Sequence, residues 1–311
     1  MKAVVLTDFG GVENLVTDDV AKPVVADNEV LVQVKAISIN PVDVKTRSGK
    51  GVSALFENER PMILGWDVSG VVAESKSPLF AVGDEVFGMV NFPGIGRAYA
   101  EYVAAPASHL ALKPASVTHA EAAGASLAAL TAWQALVSHA NIQPGQRVLI
   151  HAAAGGVGHF AVQIAKQLGA YVIGTSSAGN KDLVLSLGAD EHIDYKAQEL
   201  NQATQAIDFV LDTLGDETID RSLEVMKKGA TIISIPSGKN EAVKEKAQAK
   251  GMIGYPIRVQ SNGDDMKKLA DHLANGTIKS YVSQTFAFDD IQNAHRQIET
   301  GKTQGKIAVL L

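Results

Sequence analysis

The residues with the clearest chemical potential form a glycine-rich turn, HAAAGGVG, at residues 151–158. The apolar run RVLIHA precedes the turn, and an amphipathic run ending at Gly169 follows it, which predicts a strand, a turn and a helix. Ala153, Gly155 and Gly158 fit the spacing G-x-G-x-x-G with alanine in the first position. The second glycine of this pattern lets the backbone approach a pyrophosphate, and the third lets helix and strand pack closely. Free N–H groups and the helix dipole face the phosphates, so the turn predicts a dinucleotide site.

The predicted backbone contacts to this ligand are Ala154, Gly155, Gly156, Val157 and Gly158. A tight glycine turn without a ligand is the alternative. The strands and helices that follow the turn favour the ligand site, because the pattern is informative only within a βαβ unit.

The end of the next predicted strand, AYVIGTSS, distinguishes between the two nicotinamide cofactors. An NAD site places Asp or Glu about 20 residues after the first glycine position, where it binds the ribose 2′-hydroxyl. This chain has Ser176 and Ser177 there, with Lys181 shortly after. Hydroxyls and a cation suit a 2′-phosphate, so the sequence favours NADPH. The alternative is that the serines cap the next helix and the lysine is solvated.

Further cofactor contacts are predicted after the later strands. Ligands of open α/β sheets lie beyond the carboxyl ends of the strands. That rule alone nominates Thr213 and Leu214, the segment Ile235, Pro236 and Ser237, and Val259. Each of these positions could equally belong to an ordinary loop.

The elements that would position these residues change character along the chain. Short apolar runs separated by turns predict a β-rich region up to about residue 115. The pair Thr118 and Glu121 is a capping-box signal for a long helix reaching about His139. Six apolar strands alternating with helices then run from Arg147 to Val259, which predicts a doubly wound parallel sheet.

The tail from residue 260 predicts a helix, a strand, a second helix and a final strand. Such a piece is too small for its own core, so we expect it to return to the first domain. The expected division is therefore a β-rich domain of residues 1–117 and 260–311 and a Rossmann domain of residues 118–259.

Composition narrows the possible functions. The 311 residues include no cysteine, which excludes disulfides, thiolate catalysis and cysteine-ligated zinc and fits a reducing cytoplasm. The net charge of −6 gives no indication of a nucleic-acid surface. No run of about 18 apolar residues occurs, so we expect no membrane span.

The whole chain resembles the zinc-independent medium-chain dehydrogenases/reductases, specifically the quinone oxidoreductase (zeta-crystallin-like) family. The motifs that carry this resemblance are INPVDVKTRSG (39–49), LGWDVSGVV (64–72), VGDEVFG (82–88), AYAEYV (98–103), LTAWQAL (130–136) and HAAAGGVG (151–158). The resemblance implies a GroES-like β-rich catalytic domain beside the Rossmann domain. Zinc-dependent relatives have Gly-His-Glu where this chain has Gly65, Trp66 and Asp67, so no metal site is expected.

The resemblance also implies residue roles. It places Asn40, Asp43 and Thr131 beside the nicotinamide, although Asn-Pro is also a common turn starter. It implies that the adenosine 2′-phosphate is bound by Ser176, Lys181 and Tyr195. Relatives often carry a tyrosine where this chain has Lys45, a departure on the quinone side of the pocket, so residues 49–62 are expected to select the substrate. Asn40, Lys45 and the ribose hydroxyls of the cofactor are the candidate hydrogen-bond donors to developing oxyanion charge. The eight histidines are interpreted as surface or packing residues.

The resulting hypothesis is an NADPH-dependent oxidoreductase that transfers hydride to a quinone or another conjugated carbonyl without zinc. An enone or alkenal double-bond reductase is the first alternative, and a non-catalytic NADPH-binding protein is the second. The resemblance also implies a homodimer formed through the strand near GMIGYPIRV (251–259).

Overall fold

The computed structural model describes residues 1–311. Its strands are β1 (Lys2–Leu6), β2 (Leu15–Asp19), β3 (Glu29–Ile39), β4 (Asp67–Ser75), β5 (Glu85–Met89), β6 (Tyr102–Pro106), β7 (Leu110–Leu112), β8 (Arg147–Ile150), β9 (Tyr171–Ser176), β10 (Glu191–Asp194), β11 (Ile207–Asp212), β12 (Met226–Ser234), β13 (Ile253–Pro256), β14 (Val282–Ala287) and β15 (Lys306–Leu310).

The α-helices are α1 (Pro41–Arg47), α2 (His119–Gly124), α3 (Leu127–Trp133), α4 (Gly158–Gln167), α5 (Lys181–Ser186), α6 (Leu200–Ala203), α7 (Glu217–Val225), α8 (Val243–Ala249), α9 (Gly263–Ala274) and α10 (Ile291–Glu299). Short 3₁₀ helices lie at Val12–Asn14, Ser53–Phe56, Ala107–His109, Ala178–Asn180 and Phe288–Asp290, and a π-helical turn covers Gln134–His139. None of these helices combines the length and apolar character needed to cross a membrane.

The chain forms two compact units. The first contains residues 1–130 and 259–311, and the second contains residues 131–258. In the second unit six parallel strands follow the order β10-β9-β8-β11-β12-β13. This is the doubly wound order of a Rossmann sheet, which confirms the predicted fold class. Its strands are buried apolar runs, as a covered parallel sheet requires.

The first unit contains a seven-stranded sheet with the order β14-β15-β3-β4-β5-β7, in which β6 also pairs with β3. Strand β15 from the end of the chain pairs antiparallel with β3, and Ile307 lies opposite Ile39. This pairing brings Lys306 beside Asn40 although more than 260 residues separate them in sequence. The sheet register therefore assembles the polar cluster described below.

The helix predicted from Thr118 to His139 is interrupted. Its start was predicted correctly, since Thr118 and Glu121 form the reciprocal capping bonds. Helix α2 ends at Gly124, however, and α3 begins only at Leu127, whose N–H donates to the buried Asp67 carboxylate at 2.8 Å. A carboxylate from another strand thus holds the first turn of α3.

The boundaries between the units also differ from the expected division. Helix α2 packs against β3, β4 and β15, so residues 118–130 lie in the first unit and the division falls after residue 130. The second boundary falls between Arg258 and Val259, so Val259 belongs to the first unit. The sequence placed the boundary too early because a capping box marks a helix start and gives no information on what the helix packs against.

Candidate functional site

The glycine-rich turn connects β8 to α4 and is held by one hydrogen bond to β9 and one within the turn. The Ala153 N–H donates to the Thr175 carbonyl of β9 at 2.9 Å, and the Gly155 N–H donates to the Ala152 carbonyl at 2.8 Å. A Cβ at Gly158 would lie 2.1 Å from the Ala152 oxygen, whereas one at Gly155 would lie 3.1 Å from it. Position 158 therefore requires glycine, as the fingerprint predicts.

The same turn presents backbone to solvent. Residues 155–157 are half-buried, whereas Ala154 is buried. They lead into the N-terminus of α4, a ten-residue helix in which the His159 N–H donates to the Gly155 carbonyl at 3.0 Å. A cradle that excludes side chains and ends at a helix N-terminus fits a pyrophosphate, so the residues present suit a dinucleotide.

A buried histidine, His151, joins the start of the turn to neighbouring elements through hydrogen bonds. His151 Nε2 lies 2.9 Å from Ser222 Oγ, and that hydroxyl donates to the Thr218 carbonyl at 2.6 Å. Ser222 must therefore accept from Nε2, which leaves His151 Nδ1 to accept from Thr175 Oγ at 3.0 Å. Burial lowers the pKa of His151 to about 4, so the ring is neutral and links β8, β9 and α7. The interpretation of His151 as a packing residue agrees with this position.

The loops after β11 and β12 reach the same edge of the sheet as the turn. Asp212, buried at the end of β11, accepts from the Leu214 and Gly215 N–H groups at 3.0 Å each and from Ser234 Oγ at 2.5 Å. The Thr213 hydroxyl donates to the His151 carbonyl at 2.9 Å, so it helps to position the turn. Leu214 is 46 % exposed.

After β12, Ile235 and Pro236 are half-buried and Ser237 is exposed. The Ile235 N–H donates to the Asp212 carbonyl at 3.0 Å, which ties this loop to the end of β11. Both predicted loop segments thus lie at the carboxyl edge of the sheet. Their contact with the cofactor, like that of Val259, stays a prediction.

The residues predicted to hold a 2′-phosphate come together at the end of β9. Ser176 is buried, Ser177 is half-buried, and Lys181 is exposed at the start of α5. Tyr195 follows β10, is 58 % exposed, and donates its N–H to the Ser176 carbonyl at 3.3 Å. No carboxylate stands at the end of β9, in agreement with a site for NADPH.

The sequence interpretation did not place a histidine beside these residues, because all histidines were assigned to surface or packing. His192 Nε2 on β10 lies 2.8 Å from Ser176 Oγ. A signal was available, since the third strand of a doubly wound sheet lies beside the second. That order predicts that residues of HIDY border the end of AYVIGTSS.

A buried cluster in the first unit contains Asn40, one of the predicted catalytic residues. Asn40 Nδ2 donates to Asp67 Oδ2 at 2.8 Å, and Asn40 Oδ1 accepts from Lys306 Nζ. Lys306 Nζ also donates to the Ile39 carbonyl at 3.2 Å and lies 3.9 Å from Asp67 Oδ2. The Asn40 amide therefore bridges a buried cation and a buried anion, which a charged or apolar side chain could not do.

A chain of hydrogen bonds runs from Glu299 at the surface to the buried Tyr99 hydroxyl, which lies near Asp43. Arg47 binds the half-exposed Glu299 at 2.6 Å and can only donate. Arg47 Nη1 lies 3.2 Å from His295 Nδ1, so Nδ1 accepts and the ring proton lies on Nε2, 3.0 Å from the Tyr99 hydroxyl. That hydroxyl is close enough to Asp43 to lower the pKa of the carboxyl, although Asp43 Oδ1 has no well-formed hydrogen bond. His295 was interpreted as a surface or packing residue, but it is hydrogen-bonded to both Arg47 and Tyr99.

Burial is the largest cause of the pKa shifts of Asp43, Asp67 and His295. Desolvation raises the pKa of Asp43 to about 7, against the Asn40 N–H that donates to its Oδ2 at 2.6 Å. Desolvation also raises the pKa of Asp67 to about 6, against the attraction of Lys306. Burial lowers the pKa of His295 to about 3.

These shifts predict how stability depends on pH. Asp43 and Asp67 bind protons more tightly when folded, so their stabilising effect is complete below the ordinary pKa of 3.8 and is lost as pH rises through 6 and 7. The effect of His295 is complete above pH 6.5 and is lost as pH falls toward 3. The two carboxyls therefore predict that the Tm of the protein rises as the pH is lowered from 8 to 6.5. Differential scanning calorimetry would measure this rise, and Asp43→Asn should reduce it; an unchanged slope in the variant would contradict the assignment.

The other two predicted catalytic residues lie in different units. Lys45 is half-buried on α1, whereas Thr131 is 5 % exposed and begins the second unit. The structure shows structural roles for Asn40 and Asp43. Substrate contact by Asn40, Asp43, Lys45 or Thr131, and substrate selection by residues 49–62, stay predictions.

Trp66 stands where zinc-dependent relatives have a ligand histidine. It is fully buried, donates its Nε1 proton to the Gly94 carbonyl at 2.7 Å, and packs edge-on against Phe56 and Phe92. The chain contains no group of three or more His, Asp or Glu side chains that could hold a metal ion. Aromatic packing therefore fills the position.

Models of two known protein families match this chain, and together they include residues of both units. Residues 26–115 match the model of the alcohol dehydrogenase GroES-like domain, and residues 187–309 match that of the zinc-binding dehydrogenases. The chain is 33 % identical to an NADPH-dependent alkenal/one oxidoreductase, chloroplastic, of Arabidopsis thaliana, over 99 % of this chain and 79 % of that protein.

Two solved structures superpose over the whole chain. The quinone oxidoreductase of Coxiella burnetii is 34 % identical, with a TM-score of 0.95 over 100 % of this chain and 99 % of that one. The Escherichia coli quinone oxidoreductase complexed with NADPH is 28 % identical, with a TM-score of 0.89 over 100 % of both chains.

Proposed function

Because this chain belongs to the zinc-independent quinone oxidoreductase family of medium-chain dehydrogenases/reductases, we propose that it is an NADPH-dependent reductase of quinones or other conjugated carbonyls. The observation that carries this proposal is the turn at residues 151–158, where a Cβ at Gly158 would meet backbone. The related structure that holds NADPH supports the choice of cofactor.

When bound, NADPH supplies the hydride. The contribution of the chain is to bind and orient the cofactor. Backbone N–H groups at the start of α4 would hold the pyrophosphate, while Ser176 and Lys181 would hold the 2′-phosphate. His151 and Asp212 keep the surrounding loops in place through the bonds described above. Such fixed positioning is what converts binding into a productive geometry.

The proposal predicts rapid oxidation of NADPH by an electron-poor acceptor. Stopped-flow absorbance should show NADPH consumption with 1,4-benzoquinones or with 2-alkenals, and slower consumption of NADH, because the end of β9 has no acid for a free ribose hydroxyl. Tight NADPH binding without hydride transfer to either acceptor class would instead identify a non-catalytic NADPH-binding protein.

A specific observation favours double-bond reduction as the second candidate. The Arabidopsis relative is named an alkenal/one oxidoreductase. Product analysis separates the two reactions, since a quinone gives a hydroquinone and an enone gives a saturated carbonyl compound. A homodimer through the β13 edge and a cytoplasmic location stay predictions, and the same relative is named chloroplastic.

A further inference from the structure

His192 is a titratable side chain that the proposed reaction does not use. On β10 it pairs with Gly174 of β9, and Ser176 lies two residues further along that strand. Residues two apart on a strand project to the same face of a sheet. The 2.8 Å contact between His192 Nε2 and Ser176 Oγ is therefore a contact between neighbouring strands on one face.

That face is the one on which the glycine-rich turn lies. A Cβ at Gly174 would come within 2.8 Å of the Ala153 Cβ and 2.6 Å of the Val184 side chain on α5. The absence of a side chain at position 174 thus lets the turn and α5 approach β9 closely. His192 and Ser176 border the same space from β10 and β9.

The charged groups acting on His192 come from its own strand and from α5. Partial burial is the main cause that lowers the pKa of His192; Asp194 opposes this shift and Lys181 adds to it. From β9 it meets the uncharged Ser176 hydroxyl, which can also donate to the Ser177 carbonyl at 3.2 Å. Because the net shift keeps the pKa of His192 below its ordinary 6.5 despite Asp194, the ring is neutral near pH 7 when no phosphate is bound.

We propose that His192 takes up a proton when a 2′-phosphate binds beside Ser176, and that it thereby selects a 2′-phosphorylated dinucleotide over one with a free 2′-hydroxyl. This inference rests on the proposed function and deepens it. The bound phosphate adds negative charge beside a ring whose only neighbouring anion is Asp194, which favours the imidazolium. One proton passes from solvent to the ring for each ligand bound.

The protonated ring also fixes the direction of the Ser176 hydroxyl. A protonated imidazole only donates, so Nε2 must donate to Ser176 Oγ. The Ser176 proton is then directed away from His192 and is available to an anion. His192 acts here both as a charge and as a positioning residue for Ser176.

Two small ligands isolate this effect from hydride transfer. Adenosine 2′,5′-bisphosphate carries the 2′-phosphate, whereas adenosine 5′-monophosphate lacks it. Titration calorimetry in two buffers of different ionisation enthalpy at pH 7 measures the protons taken up on binding. The variants are His192→Gln and the control His272→Gln, whose ring on α9 of the first unit likewise contacts a hydroxyl, that of Thr277 at 2.9 Å.

The wild-type protein should take up more protons with the bisphosphate than with the monophosphate, and its affinity for the bisphosphate should rise about three- to tenfold from pH 8 to pH 7. His272→Gln should behave in the same way. His192→Gln should take up fewer protons with the bisphosphate than the wild type and change affinity by less than about twofold over that interval. Because the ligand's own phosphate titrates in every protein, the difference between variants reports His192 alone.

Equal proton uptake by wild type and His192→Gln would overturn the inference. NADPH binding by the wild type without any proton uptake would overturn it as well, while leaving the proposed function intact. Failure of the wild type to bind either NADPH or the bisphosphate would overturn both.

Discussion

Replacement of Gly158 by alanine is expected to weaken NADPH binding by about 100-fold, because the loss of two hydrogen bonds to a charged pyrophosphate, at about 1.5 kcal/mol each, corresponds to that factor. The new Cβ would lie 2.1 Å from the Ala152 carbonyl oxygen and 2.8 Å from the Ala153 Cα. Both contacts are with backbone and cannot be relieved by a change of rotamer. Either α4 or the turn must therefore move, and the N–H groups at the helix start move with it. Fluorescence titration with NADPH measures the loss.

The matched control is Gly179→Ala in the same unit. A Cβ at Gly179 meets no atom within 4 Å, and its backbone is not left-handed. This variant should bind NADPH within about twofold of wild type, because surface substitutions of this kind have effects within about 0.5 kcal/mol. Circular dichroism would establish that Gly158→Ala remains folded. A folded Gly158→Ala protein with unchanged NADPH affinity would mean that the turn is not the cofactor cradle.

The sequence predicts this turn well because its signal is local. Strand, turn, glycine spacing and helix all lie within residues 147–169, and each depends on neighbours in the chain. The same holds for the capping box of Thr118 and Glu121. Parallel strand order follows as well, since alternating strands and helices permit few topologies.

What the sequence does not predict depends on contacts between distant segments. The break between α2 and α3 arises where Leu127 donates to Asp67, sixty residues earlier. The contact of His192 with Ser176 needs the register of β10 on β9. Periodicity shows which face of an element is apolar, but it does not show which polar side chains meet across a sheet.

Asn40 illustrates how one pattern can support two interpretations. Asn-Pro predicts a turn, and the family resemblance predicts a site residue. In the structure Asn40 directly precedes α1 and also bridges Asp67 and Lys306. Neither interpretation includes that bridge, because Lys306 reaches it only through the pairing of β15 with β3.

Replacement of Lys306 by methionine is therefore expected to destabilise the protein by about 3–5 kcal/mol, the usual effect of removing one partner of a buried ion pair. Lys306 Nζ is the cation beside Asp67 and Asn40, and its side chain is 3 % exposed. Methionine fills similar volume, so the loss would reflect charge more than packing. Urea unfolding followed by circular dichroism measures the change in the free energy of unfolding.

Two further variants separate the buried charge from other causes. Lys267→Met removes a surface lysine paired with Asp264 on α9, and should change stability by no more than about 1 kcal/mol. Lys306→Met combined with Asp67→Asn removes both charges and should regain much of the lost stability, because an uncompensated buried anion is the main penalty.

The loss of stability caused by Lys306→Met should also depend on pH. Without Lys306 the pKa values of Asp43 and Asp67 rise further, because attraction to Lys306 lowers both in the wild type. Near pH 6 these carboxyls become protonated and need no cation, so the loss of stability should be smaller at pH 6 than at pH 8. An equal loss at both values of pH would mean that Lys306 stabilises the fold through packing and its hydrogen bond to Ile39 rather than through its charge.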